Sequence, residues 1–190
     1  CGMIALAVMD MWKPFRNATL KNVPEAQIVY DKFHVMRHLA DALDRVRRSE
    51  YKRVNDKERK FIKGQRYTLL SHQANLDPEG RRALRTLLKA NKRLHRAYLL
   101  KESFRDFWQS TTKEIATKYL EQWLSWADES EIKPMQKVAK LLRRHEENIL
   151  TYFDMPISNG IAEGLNNKAK VISHRAYGFR TAKNYILNLY

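Results

Sequence analysis

Two acidic residues of this chain sit where a carboxylate could act on a phosphate ester. Asp10 closes the apolar run Met3 to Met9, and Glu163 lies within Ser158-Asn159-Gly160-Ile161-Ala162-Glu163-Gly164-Leu165-Asn166-Asn167-Lys168-Ala169-Lys170. Paired carboxylates suit hard divalent cations, and magnesium typically keeps several waters while binding one or two carboxylates plus substrate phosphate. Two such ions, roughly 4 Å apart, can activate a water or a 3′-hydroxyl and stabilise the departing oxygen of a phosphodiester. That chemistry needs the acids on rigid elements, because small misplacements cost large factors in rate. His34 and His38 have the i, i+4 spacing of metal ligands. No third ligand lies nearby in sequence, which leaves structural hydrogen bonding as the other account of the pair.

The elements that must position these groups follow from local pattern. Met3 to Met9 (MIALAVM) has strand length and the continuous apolar character expected of a sheet covered on both faces. Asp10 then falls at the strand's C-terminal end, the edge where ligand and catalytic groups collect in parallel α/β sheets. Pro14 suits the start of a helix running to about Asn22, Val23-Pro24 breaks it, and Ala26 to Tyr30 (AQIVY) reads as a second strand. A strand–helix–strand unit predicts parallel pairing. Asp31 is placed to cap a long amphipathic helix whose buried stripe is Val35, Leu39, Ala42, Leu43 and Val46.

Near the other terminus, Ser158 and Asn159 follow Met155-Pro156 and can cap a further helix. There Ile161, Leu165, Ala169 and Ile172 share one face, while Glu163, Asn166, Asn167 and Lys170 share the opposite one. Lys168 lies near the apolar stripe, where its stem can pack while its head reaches water. Gly164 costs up to about 1 kcal/mol relative to Ala inside a helix, which predicts a close approach to the backbone there. A carboxylate, two amides and an ammonium pointing at one target is the functional account. A solvated helix face is the plain one.

The chain has 36 Lys and Arg against 21 Asp and Glu, a formal net charge of +15. A surplus of that size concentrates polyanions around the protein, nucleic acid first among them. Arg45 to Arg66 is densely basic, with more cations at Arg81, Arg82, Arg85, Lys89, Lys92, Arg93 and Arg96. Tyr51, Phe61, Tyr67 and Tyr98 are interleaved. Phosphate-backbone contact by this block is expected, although any one of its cations can equally belong to a solvated face. Helices are expected from Pro78 through Leu99, from Ser103 to Trp126 and from Pro134 to Phe153, with their tryptophans and phenylalanines in the core. The single cysteine, Cys1, permits no internal disulfide and suits a reducing cytoplasm. No apolar run is long enough to span a bilayer, so no membrane partner is expected.

The stretch from Ile157 to Lys170, followed by Arg175-Ala176-Tyr177-Gly178-Phe179-Arg180, resembles the C-terminal signature of the ISL-three family of bacterial insertion-sequence transposases. The similarity continues in Met9-Asp10-Met11-Trp12-Lys13-Pro14-Phe15 and in Asp31-Lys32-Phe33-His34-Val35, and it covers essentially the whole chain. These are DDE enzymes with an RNase H-like core, which cut and join DNA at transposon ends. The resemblance implies that Asp10 is the second catalytic Asp and Glu163 the catalytic Glu, both ligands of magnesium or manganese, two ions in the complete enzyme. It makes Asp31 and His34 supporting residues, and Asn166, Asn167, Lys170, Arg175 and Arg180 candidates for DNA contact.

Under this reading the chain is mostly α with a small α/β part. Residues 1–34 carry a partial RNase H-like core of two parallel strands, 35–153 a helical insertion, and 154–190 the helix of Glu163 and a basic turn. The opening on a buried strand predicts a piece of a longer polypeptide, with the first catalytic Asp upstream of Cys1 and little or no turnover in this piece. A two-strand sheet leaves edges uncovered, which predicts self-association. Two other functions fit the same features: a non-enzymatic basic helical DNA-binding protein, including a truncated transposase acting as a regulator, and a structure-selective nuclease.

Overall fold

Leu6–Met9 (β1) and Gln27–Tyr30 (β2) form a two-stranded parallel sheet, in the register Leu6↔Gln27, Ala7↔Ile28, Val8↔Val29 and Met9↔Tyr30. Helix α1 (Lys13–Asn22) connects them, with proline in its first turn and Lys21 in its last. The computed structural model describes residues 4–156, 168, 171–176 and 181–187, in two compact units divided after Pro156. The small sheet among many helices is the architecture that the sequence predicts. The strands are shorter than expected, and β1 is not covered on both faces. Met9 is its only buried residue, Ile4 just before it is half exposed, and α1 buries none of its side chains. The second strand carries the burial, through Ile28, Val29 and Tyr30.

Helix α2 (Lys32–Tyr51) is the longest described element. Asp31 caps it, its carboxylate accepting from the Phe33 N–H at 2.6 Å, and Val35, Leu39, Ala42, Leu43 and Val46 are buried as their spacing requires. Behind it follow α3 (Asp56–Gly64) and α4 (Arg66–Leu70), a 3-10 turn at Gln73–Asn75, then α5 (Pro78–Ala90), α6 (Lys92–Phe107), α7 (Lys113–Glu129), α8 (Lys133–Arg144) and α9 (Glu146–Asp154). One hydrophobic cluster runs from Met9 and Tyr30 through α2 to Phe104, Leu120, Met135 and Ile149, so sheet and helices share a core. Residues 171–175 and Ala182–Leu187 are helical in the second unit.

Each of the three long helical stretches expected in the second half is broken once. Asn91, in an extended conformation, ends α5 and caps α6 by accepting from the Leu94 N–H. Thr112 caps α7 in the same way through the Ile115 N–H. His145 separates α8 from α9. Asn and Thr compete with the helix for backbone hydrogen bonds, and that local competition wins where the chain must turn to bury both apolar faces. Trp126, expected in the core, is 39% exposed, whereas Phe104, Phe107 and Trp123 are buried. The Trp123 indole donates to the Leu100 carbonyl at 2.9 Å.

The basic block is partly neutralised inside the fold. Asp44 holds Arg47 at 2.8 Å and Arg48 at 3.0 Å, with both Asp44 and Arg47 buried. The buried Glu50 carboxylate accepts from Arg93 at 2.9 Å and from the Asn91 side-chain amide at 3.0 Å, so α2 is tied to the junction of α5 and α6. Lys101 is buried as well. Its ammonium donates to the carbonyls of Leu69, Leu70 and Ser71 and lies 2.7 Å from Glu102, which caps the C-terminal end of α4 from another helix. Burial holds its pKa below the usual lysine value, with the Glu102 hydrogen bond opposing that shift.

Replacing Lys101 by Met leaves those carbonyls and the Glu102 carboxylate without their cation. The expected cost is about 3 kcal/mol, read as a lower urea midpoint at constant m-value. A second outcome concerns pH. Half-buried His145 packs edge-on against the Tyr30 ring at 5.1 Å, and burial, then Arg16, Arg144 and His38, hold its pKa below the usual value. The unfolded chain takes up that proton from about pH 6.5 downward while the folded chain resists it. Stability is therefore expected to fall as pH drops from 7.5 through 6.5, and His145→Gln should flatten that slope in urea titrations at successive pH values.

Candidate active site

The parallel register brings Asp10 and Asp31 to neighbouring positions, each following the last residue of its strand. The Asp31 N–H continues the ladder by donating to the Met9 carbonyl at 3.1 Å, and the Trp12 N–H closes a tight turn on the Asp10 carbonyl at 2.7 Å. Both acids are thereby fixed at the C-terminal edge of the sheet, one by a turn and one by a helix cap. Their tasks differ. Asp31 is 5% exposed and its carboxylate caps α2, whereas the Asp10 side chain is 39% exposed.

His34 stands one turn into α2 and reaches back over the cap. Its Nδ1 lies 2.8 Å from Asp10 Oδ1, an ion-pair contact without the alignment of a full hydrogen bond. The two motifs that sequence singled out separately thus meet in space. Nothing in the sequence pairs these two residues directly; the signal was the Asp-x-x-His spacing, which puts the imidazole above its own cap and hence beside the adjoining strand end. His38 points elsewhere, toward Asp41 of its own helix and Pro134, Lys137 and Leu141 of α8. Partial burial lowers its pKa, with Asp41 opposing the shift.

Among the described residues no three His, Cys, Asp or Glu side chains gather as a metal-ligand group. Asp10 nevertheless offers what a hard cation prefers. Its Oδ1 faces His34, and its Oδ2 has no ion-pair or hydrogen-bond partner among the described residues. Arg175 is the last residue of the helical segment 171–175, exposed to solvent, and Lys168 is helical and exposed. Glu163, Asn166, Asn167, Lys170 and Arg180 lie outside the described residues, and so does the expected proximity of Glu163 to Asp10.

Phe33 escaped the sequence reading. It is 63% exposed, and its ring stands 5.9 Å from that of His34, edge to face. A large aromatic placed in solvent beside an acid–imidazole pair has no role in the core, and only its position inside the Asp-x-x-His segment could have marked it.

The comparisons with known proteins agree with the ends of the chain and its middle alike. The family model described as "Transposase" matches residues 1–189. The chain is 31% identical over 189 residues to the transposase for insertion sequence element IS1001 of Bordetella parapertussis, covering 98% of this chain and 47% of that protein. It is 29% identical over 186 residues to the transposase for insertion sequence element IS1557 of Mycobacterium tuberculosis (strain H37Rv), covering 86% of this chain and 42% of that protein. The chain therefore spans about half the length of the curated relatives it matches. No solved structure matches the chain at significance. With a family match running almost from end to end, the chain belongs to the ISL-three family of transposases.

Proposed function

We propose that this chain contributes two of the acids of a DDE active site, Asp10 and Glu163, to an enzyme that cuts and joins DNA at the ends of an insertion sequence. The observation that carries the reading is the placement of Asp10: fixed at the C-terminal edge of a parallel sheet, half exposed, and in contact with His34. An RNase H-like core divided between residues 1–34 and 154–190, with 35–153 as a helical insertion, accords with it. Magnesium or manganese, two ions in the complete enzyme, would supply Lewis-acid polarisation of the phosphodiester and a nucleophile deprotonated near neutral pH.

The residues of the chain do the rest. Asp10 and Glu163 would supply the anionic oxygen ligands that hold those ions near the scissile phosphate. His34 orients the Asp10 carboxylate, and Asp31 fixes the helix that carries His34. Asn166, Asn167, Lys170, Arg175 and Arg180 grip the DNA backbone, and the unneutralised cations of the helical module extend that grip. Two acids are assigned where the family chemistry uses three, so this chain alone is expected to cleave little. The partly uncovered sheet supports self-association or pairing with further segments of a longer polypeptide.

The test uses the longest natural polypeptide that carries this chain, supplied with DNA bearing its insertion-sequence ends. Asp10→Asn and Glu163→Gln should each lower strand cleavage by about a thousandfold or more, with DNA affinity in gel shifts unchanged within twofold. Retained cleavage in either variant would overturn the assignment. DNA affinity with no cleavage in the unaltered protein would favour a basic DNA-binding regulator instead. His34→Gln should cost roughly 10-fold to 100-fold, as removal of an outer-shell partner of a metal ligand does. Part of that loss should be recovered at higher manganese concentration, a recovery that a merely misfolded variant would not show.

A further inference from the structure

Beside the Asp10–His34 pair lies a groove of about 460 Å³ lined by side chains of α2, of α4 and of the end of α6 with the turn that follows. Phe33, Met36, Ala40, Leu70 and Trp108 give it apolar walls, and its cations include Lys32, Arg37 and Arg105. Its volume falls in the range of about 300–1,000 Å³ typical of small-molecule sites. Phe33 joins the groove to the candidate active site, since the next residue is the histidine that touches Asp10.

Two observations point to what fills it. Lys32, Arg37 and Arg105 take part in no ion pair among the described residues, although Arg47 and Arg48, further along α2, are paired with Asp44. Secondly, the first turn of α2 carries Lys32 and no acid beyond the Asp31 cap, the reverse of what a helix N-terminus favours. Cations without acids and a basic first turn both call for an anion. The exposed Phe33 ring and the apolar wall call for something flat.

We infer that this groove binds single-stranded DNA next to the active site, with a base stacked on Phe33 and flanking phosphates on Lys32, Arg37 and Arg105. Duplex DNA presents the phosphates but keeps its bases inside the helix. The apolar wall therefore selects strand ends or unpaired nucleotides, the form that DNA takes where it is being opened for cleavage. Stacking of this kind tolerates any sequence, because every base has a π-face. The inference rests on the reading of the chain as a DNA-processing enzyme.

The 190-residue chain is titrated with a labelled oligothymidylate of about ten nucleotides and, separately, with a hairpin duplex, by fluorescence anisotropy. Phe33→Ala should weaken oligothymidylate binding about tenfold and duplex binding less than twofold, with an unchanged thermal melt because Phe33 is outside the core. Arg37→Ala should reduce the slope of log affinity against log salt by about one for the single strand. Equal single-strand affinity in Phe33→Ala and the parent chain, with duplex binding intact, would overturn the groove and leave the proposed function standing. Failure to bind either form of DNA would overturn both. If Phe33→Ala abolished self-association in sedimentation while single-strand affinity stayed, the groove would belong to a second copy and the inference would fall.

Discussion

The burial of one stripe on α2 is the constraint from which the rest follows. Val35, Leu39, Leu43 and Val46 are fully enclosed, and the helix that carries them begins one residue after β2 and ends deep in the helical module. Each enclosed Leu or Val stabilises the fold by about 1.5–3 kcal/mol relative to exposure. Rotating the helix by one residue to suit the site would remove several of them from the core at once. The position of His34 is thus decided by hydrophobic packing that begins at its neighbour Val35 and runs along the helix to Val46. Asp10 is fixed independently by strand pairing, and their contact is where the two constraints agree.

The electrostatics of the chain divide along the same helix. Toward its C-terminal end, acids are buried and hold arginines: Asp44 takes Arg47 and Arg48, and Glu50 takes Arg53 and Arg93. A buried carboxylate that lost these partners would be costly, so these cations are structural and their charge is spent inside. Toward the N-terminal end the pattern inverts: Lys32, which stands over the Tyr152 ring, and Arg37 have no ion pair among the described residues, and an exposed ring lies beside them. The net charge of +15 is therefore a poor guide to where a polyanion would sit. Many cations in the densest basic run serve the fold, and several that remain available stand near the candidate site.

Much of this was legible in the sequence, for a physical reason. Helix stripes and caps are local, and Asp31 and the Val35–Val46 spacing predicted their element correctly. The signature at residues 157–180, continued in the motifs around Asp10 and His34, identified the family because motifs in the same order at both ends of a chain rarely match by chance. What sequence could not supply was anything set by tertiary competition. The breaks at Asn91, Thr112 and His145 fall inside runs whose periodicity continues on both sides, and only the need to fold the helices back on one another interrupts them. Lys101 reads as one more surface cation, and its role depends on carbonyls some thirty residues away. The meeting of Asp10 with His34 needs the strand register, which no single stretch encodes. The partial exposure of β1 contradicts its apolar composition, since composition reports what a strand can bury and not what is present to cover it.

The packing of α9 on β2 carries a consequence for how the protein is made. The Asn148 amide approaches the Ile28 carbonyl across 120 residues of chain, and His145 closes over Tyr30. At about 5–20 residues per second of synthesis, that shield leaves the ribosome on the order of ten seconds after the strand it covers. During that interval the more deeply buried of the two described strands has no lid. Until then Ile28, Val29 and Tyr30 lack the cover they have in the finished fold, and the rate of synthesis sets how long they wait for it.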